Sequence, residues 1–512
     1  MLKSPLVAVN TKAGHISTKR FLVWSNILVG IVVLACFAVG IWMRLHDLSL
    51  PLDRDGYDEG VYWQSLRAMS QGHPLYQQIF YSQPPFFLLA IFPTYLLFGQ
   101  TLWAARIGIV LISLLGLLGA FLLGKALGGR IGALASLLLL MADPLYLTQS
   151  QNIQAEAPSA ALMLLGVGMA YLWWETPEGW TGICFATLSA LALSLGILCK
   201  LLAVAGLVPV GLLMLAHLWR TFQQPSNTRL ASIRPVLLGI AAFLITTAIV
   251  CLPFIGFWPQ ALQQVITFHV DAGNAFKATQ SQNTSMIAHA LFSIPGSAAL
   301  YGTVVALLRR DWRVLPLIAW LLATCYLLWQ QTPLFHHHFV MLTLPLIALA
   351  IMGLGPITFK RQRSFSLNSI ATIMAILIIL LVAVTSLQES QLYLSDIHEQ
   401  SLTQTTQQDL QVAHDLHDTT PSNQLVITDA QFIAGLADRS TPAFLVDTST
   451  VRLATNYVTE QQLIQQASQP QVHTVLFYTG RLYTSKRFYA WVTQHFHLVK
   501  SYGSGQELWI KI

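Results

Sequence analysis

The sequence predicts a polytopic α-helical membrane protein with a small C-terminal α/β domain. Of its 512 residues, 54% are hydrophobic and only 10% are charged, and the mean hydropathy is +0.57. A soluble protein would carry about a quarter charged residues. From about residue 389 onward the composition changes, because polar residues become dominant and Gln and Thr are frequent. A membrane part is therefore followed by a part that lies outside the membrane.

The apolar stretches predict about eleven transmembrane helices, since a bilayer core takes about 20 apolar residues per helix. The predicted spans lie near residues 21–43, 103–124, 131–149, 157–174, 182–199, 201–219, 235–257, 288–308, 314–330, 338–356 and 367–387. Segment 86–99 is also apolar, but it is short and Pro93 interrupts it. We expect this segment to lie along the membrane surface without crossing.

The basic residues favour this topology, because Lys and Arg concentrate on the cytoplasmic side of a membrane. With segment 86–99 outside the membrane, the cytoplasmic segments hold most of them: Lys3, Lys12, Lys19 and Arg20, then Lys125, Arg130, Arg220, Arg229, Arg234, Arg309, Arg310, Arg313, Lys360, Arg361 and Arg363. We predict a cytoplasmic N-terminus (1–20), a transmembrane domain (21–388) and an extracytoplasmic domain (389–512). The net charge of +6 lies in short clusters between spans and does not indicate a nucleic-acid partner.

The polar C-terminal part has the pattern of a small α/β domain. The runs Leu425–Thr428 and Thr474–Tyr478 predict strands. Residues 458–468 and 485–496 predict helices, and 497–512 predicts a hairpin around Gly503 and Gly505. This part has no Gly-rich nucleotide-binding motif.

An acidic cluster follows the first span, in Asp53-Arg54-Asp55-Gly56-Tyr57-Asp58-Glu59. Four carboxylates so close together repel one another, and such clusters at a membrane commonly serve chemistry or cation binding. The alternative is a polar loop in which Asp58 only caps a helix from Glu59 to about Gln71, with Gly72 ending the helix. The capping geometry and a chemical role are compatible, because a cap position holds a carboxylate rigidly.

Further candidate groups fall on the same predicted membrane face. Glu156 stands at the start of a predicted helix, where a first-turn acid is also an ordinary structural feature. Arg106 and Lys200 lie at predicted outer helix ends, where the structural alternative is a snorkelling basic side chain. Three consecutive histidines, His336, His337 and His338, point in different directions, which favours phosphate binding over a metal site.

These groups predict a cavity with carboxylates on one side and anion-binding groups on the other. Such a cavity suits the transfer of a group from a lipid-linked phosphate to a hydroxyl, with a carboxylate activating the nucleophile and cations stabilising the departing phosphate. The five cysteines (Cys36, Cys184, Cys199, Cys251 and Cys325) lie in or at the ends of apolar spans and form no disulfide or metal-binding pattern.

Several motifs between about residues 21 and 360 resemble those of lipid-linked-sugar-dependent glycosyltransferases of the GT-C class. The most similar are bacterial relatives of protein O-mannosyltransferases and of the lipid A aminoarabinose transferase. The motifs are Tyr57-Asp58-Glu59-Gly60-Val61-Tyr62, Gln71-Gly72-His73-Pro74-Leu75-Tyr76, Gln83-Pro84-Pro85, Leu102-Trp103-Ala104-Ala105-Arg106 after Phe98-Gly99, Leu195-Gly196-Ile197-Leu198-Cys199-Lys200, and His337-His338-Phe339 with Pro345. Their order and spacing are more specific than any one of them.

The resemblance implies a GT-C-like fold in which residues 44–102 form a catalytic outer loop with membrane-parallel helices. It implies that Asp58 is the catalytic base, with Glu59 beside it, and that Glu156 is the second acid. Substrate binding is expected from Asp55, Tyr62, Arg106, Lys200, His336, His337 and His338. Some family members have Lys before the proline at Pro85, whereas this chain has Pro84; phosphate recognition there must differ.

The predicted function is an inverting glycosyltransferase of the plasma (inner) membrane. It would move a sugar from a polyprenyl-phosphate donor to a hydroxyl of a glycan, lipid or protein acceptor at the outer face. No cofactor is firmly predicted and no metal ligand is assigned, although a divalent cation, Mg²⁺ or Mn²⁺, stays open. The alternatives are a transporter or lipid flippase, whose ionisable groups commonly lie near the bilayer midplane, and an inactive assembly scaffold.

Overall fold

The computed structural model describes residues 12–54, 56–223, 225–355 and 367–512. Its membrane part consists of apolar helices joined by short connections. The helices are α1 (Lys12–Leu45), α2 (Asp58–Ser70), α3 (Phe86–Leu97), α4 (Leu102–Ala142), α5 (Pro144–Ser150), α6 (Glu156–Glu175), α7 (Gly179–Cys199), α8 (Leu207–Phe222), α9 (Ser226–Cys251), α10 (Trp258–Leu262), α11 (Phe268–Ala275), α12 (Gln280–Leu291), α13 (Ile294–Leu308), α14 (Val314–Gln330), α15 (Val340–Met352) and α16 (Leu367–Ser401).

The chain is a multi-pass helical membrane protein, but the number of long spans is smaller than predicted. Among the described residues, seven helical stretches are long and apolar enough to cross a bilayer, or eight if the bent pair Lys277–Leu291 and Ile294–Leu308 is one span. One reason is that α4 is a single stretch of 41 residues that covers two predicted spans. Another is that α14, with 17 residues, is shorter than the usual span.

Two glycines interrupt α4 between the two predicted spans that it covers. Gly128 and Gly129 leave the helical conformation, and Gly129 has a φ of 63°, which glycine adopts without steric cost. At the end of α4, the Asp143 side chain accepts a hydrogen bond from the backbone N–H of Tyr146 at 2.7 Å and so caps α5. Predicted span 131–149 therefore ends at Ala142.

Helix α3 is the short apolar segment that was expected not to cross. Its 12 residues extend about 18 Å, well below the bilayer core thickness of about 30 Å. By contrast, residues 258–287, which connect the predicted spans 235–257 and 288–308, are largely helical. A π-helical turn, Gln263–Thr267, joins α10 to α11, and residues Arg229–Ala275 form one 47-residue apolar stretch. Pro259 stands at the first turn of α10, where proline does not break a helix.

Helix α6 connects two chemically different ends of the bundle. It has 20 residues and is about 30 Å long, which matches a bilayer core. Glu175 at its last residue forms an ion pair with Arg313 at 3.1 Å. Glu156 at its first residue forms an ion pair with Lys200. We call the end of the bundle that holds Glu156 and Lys200 the site end.

The C-terminal part is a four-stranded mixed sheet with small helices, as the sequence predicts. Its elements are α17 (Gln404–Thr419), β1 (Leu425–Thr428), α18 (Gln431–Leu436), α19 (Thr450–Ala454), α20 (Glu460–Ala467), β2 (Val472–Phe477), α21 (Lys486–His495), β3 (Phe496–Gly503) and β4 (Gln506–Lys511). The strand order is β1-β2-β4-β3. Strands β1 and β2 are parallel, whereas β3 and β4 form the expected hairpin. Helix α16 passes without a break through residue 389, so the predicted domain boundary there stays a prediction.

The sheet part packs directly on α2 at the site end, through two glycines. A Cβ atom on Gly60 would lie 2.4 Å from the backbone N of Phe432, and one on Gly435 would lie 2.5 Å from Cε3 of Trp63. Only glycine lets the α2 and α18 backbones approach so closely. The Gln64 side chain adds a hydrogen bond from Nε2 to the Arg439 carbonyl at 3.0 Å. The C-terminal part therefore rests on the helix that begins with Asp58.

Candidate active site

Asp58 is the first residue of α2, and the residue before it, Tyr57, takes the N-cap position without a side-chain capping bond. The predicted role of Asp58 as the cap was therefore wrong, because the helix starts one residue earlier than expected. The predicted end of the helix is confirmed: α2 stops at Ser70, and Gly72 follows with a φ of 91°.

The Asp58 carboxyl lies in a set of charged groups from four parts of the chain. Burial raises the pKa of Asp58 to about 6; the nearby Glu156 and Asp447 raise it as well, whereas His337 and Lys200 lower it. A carboxyl with such a pKa is ionised at neutral pH, yet it holds a proton more tightly than an exposed Asp does. These are suitable properties for a general base.

Glu156, Lys200, His337 and His338 form one buried cluster at the site end. Glu156 is 2% exposed, and its Oε1 receives the Lys200 ammonium. The Nε2 atoms of His337 and His338 lie 3.5 Å and 3.7 Å from the same oxygen. The two imidazole rings are perpendicular, with centroids 4.6 Å apart. The sequence predicted acids and bases on opposite walls, whereas the structure places Glu156 among the basic groups.

The local chain geometry brings these groups together. Lys200 follows the last residue of α7 in an extended conformation, with φ −154° and ψ 131°, so its side chain turns toward the start of α6. The histidines lie in a one-turn 3-10 helix, His336–Phe339, that leads into α15. Within that turn His337 and His338 are buried but His336 is exposed. The structure therefore separates His336 from the cluster that it was predicted to join.

The cluster has the donor atoms of a metal site. One ligand atom each from Glu156, His337 and His338 lies within 4.8 Å of the others, so these three side chains could hold one metal ion. The Lys200 ammonium, however, contacts the same Glu156 oxygen and provides the positive charge that a cation would supply. The participation of a divalent cation stays a prediction.

Glu59 and Arg106 form a buried ion pair that ties α2 to α4, and both side chains are 0% exposed. Arg106 donates from Nε to Glu59 Oε1 at 2.8 Å and from Nη2 to Oε2 at 2.7 Å. Its remaining N–H groups donate to three backbone carbonyls, those of Leu48, Leu50 and Leu52. These five hydrogen bonds use all five donors of a guanidinium. Substrate phosphate would have to compete with each of them.

Glu59 has a further partner on the segment that leads to Glu156. The backbone N–H of Ile153 donates to Glu59 Oε1 at 3.1 Å. The carboxylate of Glu59 therefore holds the start of α2, the start of α4 and the 151–155 segment together. Glu59 therefore connects three segments of the chain that lie next to the site, which is a structural role.

Two predicted substrate-binding residues remain. Asp55 lies outside the described residues. Tyr62 lies one helical turn after Asp58, so both side chains share a face of α2, and its ring packs edge-on against Phe87 with centroids 5.0 Å apart. Burial, with the nearby Asp58 and Glu156, raises the pKa of Tyr62 well above its usual value. Tyr62 therefore keeps its proton and lies near the carboxylates of Asp58 and Glu156.

Sequence reasoning missed the contribution of the C-terminal part to this site. Asp447 belongs to that part and affects the Asp58 carboxyl electrostatically. The Tyr57 hydroxyl accepts a hydrogen bond from the Thr448 backbone N–H at 2.6 Å, and the Arg481 guanidinium lies 4.1 Å from the centroid of the Tyr57 ring. Asp447, Thr448 and Arg481 come about 390 to 424 positions after Tyr57 and Asp58 in the chain, and no local pattern in the sequence identifies them.

A comparison with protein families matches part of the chain. Residues 62–270 match the family described as dolichyl-phosphate-mannose-protein mannosyltransferase. This stretch, about two fifths of the chain, is similar to that family. Glu156 and Lys200 lie inside the matched region, whereas Asp58 and the histidines lie outside it. No curated protein sequence matches the chain significantly.

Solved structures of GT-C enzymes have the same fold. ArnT from Cupriavidus metallidurans in the apo state aligns over 95% of this chain and 98% of its own, with a TM-score of 0.61 and 13% identity. The same enzyme bound to undecaprenyl phosphate gives a TM-score of 0.60 and 14% identity over the same shares. The oligosaccharyltransferase AglB from Archaeoglobus fulgidus, in complex with an inhibitory peptide and a dolichol-phosphate, gives 0.51 and 12% over 96% of this chain and 75% of that one.

Proposed function

We propose that the chain is an inverting glycosyltransferase that moves a sugar from a polyprenyl-phosphate donor to an acceptor hydroxyl. The observation that carries this proposal is the buried cluster of Asp58, Glu156, Lys200 and His337 at one end of a membrane bundle. The relatives support the donor class, since ArnT binds undecaprenyl phosphate and AglB binds a dolichol-phosphate.

The chemistry follows from the position of each group. Asp58 accepts the proton of the acceptor hydroxyl, and the hydroxyl oxygen forms a bond to the anomeric carbon of the sugar. The bond from that carbon to the phosphate oxygen breaks on the opposite side, and the electron pair leaves with the polyprenyl phosphate. Lys200, His337 and His338 stabilise this anion. Direct displacement inverts the anomeric configuration.

Glu156 orients Lys200 and the histidines in this proposal, since one of its oxygens contacts all three side chains. When the lipid phosphate arrives, it provides a second anion for the Lys200 ammonium and a second acceptor for the imidazole N–H groups. Glu59 and Arg106 take structural roles, because their hydrogen bonds are already made to each other and to the backbone.

We further propose that the site end faces outward across the plasma membrane. The two ends of α6 lie about 30 Å apart. Arg313 lies at the opposite end from the site, beside Glu175, and Arg309 and Arg310 precede it closely in the chain. Lys and Arg favour the cytoplasmic side. The C-terminal part, which packs on α2 at the site end, is then extracytoplasmic.

The deciding experiment is sugar transfer by the purified protein in lipid, with radiolabelled polyprenyl-phosphate hexoses and pentoses as donors. We expect turnover for the wild type and a loss of at least about a hundredfold for Asp58→Asn. Asp418→Asn is the matched control, since Asp418 is 58% exposed and lies outside the cluster. Normal transfer by an Asp58→Asn protein of equal abundance would refute the assignment of the base.

A further inference from the structure

The C-terminal part extends a loop toward the start of α2, and Asp447 is the acidic residue of that loop. Asp447 is 8% exposed. Its Oδ1 accepts a hydrogen bond from the Ser449 backbone N–H at 2.7 Å, which fixes the direction of the carboxylate. The same oxygen lies 3.3 Å from the Tyr57 hydroxyl. The loop therefore presents a carboxylate of fixed orientation to the residue that precedes Asp58.

Tyr57 is held by this loop and by a second one. Its hydroxyl accepts from the Thr448 N–H, and its own proton can go to Asp447 Oδ1 or to Thr448 Oγ1, which is 3.2 Å away. Burial, with Asp447 nearby, raises the pKa of Tyr57 well above its usual value, so the phenol keeps the proton that it donates. The Arg481 guanidinium covers the ring from the loop after β2.

The Asp447 loop is itself anchored to the membrane part. Buried Arg452 donates from Nη1 to the carbonyls of Phe444 and Asp447, which closes the loop on the start of α19. The Arg452 guanidinium also lies 4.0 Å from the ring centroid of Phe80, in the segment between α2 and α3. Asp447 is thus fixed with respect to the membrane part by an anchor that does not involve Tyr57.

We propose that Asp447 is a positioning residue of the active site, which holds the Asp58 end of α2 in place through the Tyr57 hydroxyl. This inference rests on the proposed role of Asp58. Two contacts support it: the hydrogen bond between the two side chains, and the glycine contact of Gly60 with Phe432 two residues after Asp58. The C-terminal part then contributes a residue, Asp447, that keeps the catalytic base in position.

The proposal predicts that Asp447 and Tyr57 act as one unit. Asp447→Asn and Tyr57→Phe should each lower kcat by about tenfold, and the double variant should lose little more than either single variant. The KM for the donor should change less than kcat, because the lipid phosphate meets Lys200 and the histidines. Asp418→Asn, on α17 of the same part of the chain, is the matched control and should leave kcat unchanged, since Asp418 is 58% exposed and, among the described residues, pairs only with His414 of its own helix.

The pH dependence of kcat/KM is a second test. A variant that only destabilised the fold would not shift it. The charged groups that face the Asp58 carboxyl are Glu156, Lys200, His337 and Asp447. Removing the negative charge of Asp447 favours the ionised form of Asp58. The acid limb of the kcat/KM profile should therefore move to lower pH in Asp447→Asn and stay in place in Asp418→Asn.

The outcomes separate this inference from the proposed function. If Asp58→Asn is inactive while Asp447→Asn and Tyr57→Phe have wild-type kcat and pH profiles, the positioning role is wrong and the base assignment stands. If Asp58→Asn is active, the proposed function fails. Fully additive losses in the Asp447→Asn/Tyr57→Phe double variant would also overturn the inference. Tyr57→Phe keeps the aromatic ring under Arg481, so it tests the contact even if Asp447→Asn does not fold.

Discussion

Replacing Glu59 by alanine removes the carboxylate that holds the buried Arg106 guanidinium. Three N–H groups then lose their acceptor: Nε and Nη2 of Arg106 and the backbone N–H of Ile153. Breaking a buried ion pair from one side costs about 3–5 kcal/mol, because the other charge stays buried without a partner. That loss is a large fraction of the usual stability of a folded protein, about 5–15 kcal/mol.

The measurement is thermal denaturation of the purified variants in detergent, followed by the amount of monodisperse protein that remains. Glu175→Ala is the matched control, because it also removes one glutamate from an ion pair with an arginine. The Glu175 side chain is 48% exposed, and an exposed pair contributes about 0–1 kcal/mol. We expect a large loss of stability for Glu59→Ala and almost none for Glu175→Ala.

Activity decides between the structural and the catalytic interpretation of Glu59. If Glu59 is structural, transfer by Glu59→Ala should fall in proportion to the folded fraction. A Glu59→Ala protein that is as stable as the wild type but inactive would refute the reasoning from the ion pair. Glu59 would then regain the catalytic role that the sequence predicted.

Three further predictions concern the site and its support. Because burial raises the pKa of Asp58 to about 6 and the base must be ionised, transfer should be constant above about pH 7 and fall about tenfold per pH unit below 6; a profile that is flat down to pH 5 would contradict this. Gly60→Ala places a Cβ 2.4 Å from the backbone of the C-terminal part and should cost about 1–3 kcal/mol in the same denaturation assay. Gly211→Ala, inside α8, meets nothing within 4 Å and should cause no loss, or a gain of up to about 1 kcal/mol, because alanine favours a helix more than glycine does. Lys200→Met should weaken inhibition by free polyprenyl phosphate by about tenfold or more, while exposed Lys277→Met should have no effect; equal inhibition of both variants would exclude Lys200 as a phosphate ligand.

The fold class could be predicted from the sequence because hydropathy is a strong, local signal. The strands Leu425–Thr428 and Val472–Phe477 and the hairpin at Gly503 and Gly505 also follow from local patterns. The number of spans was harder to predict. Whether α4 is one helix or two depends on the conformation of Gly128 and Gly129, and hydropathy carries no information about this.

The site could be predicted only in part, because pairing partners are set by tertiary contacts. Each of Glu59, Arg106, Glu156 and Lys200 was identified as a notable charge, but the sequence does not show which acid meets which base. The structure pairs Glu59 with Arg106 and Glu156 with Lys200. The contribution of Asp447 was not predictable, since an Asp in a polar domain has no distinguishing local pattern.

The three consecutive residues Asp58, Glu59 and Gly60 point in three directions, because successive residues on a helix are about 100° apart. The first faces the reacting groups, the second the bundle interior and the third the C-terminal part. The order of these three residues therefore fixes the rotation of α2 relative to the bundle and to the C-terminal part. A shift of this segment by one residue would place Asp58 in the bundle interior and would force the Glu59 side chain into the space that Gly60 leaves beside Phe432. A related protein with an insertion there would need compensating changes in the catalytic site, in the Glu59–Arg106 ion pair and in the contact between Gly60 and Phe432.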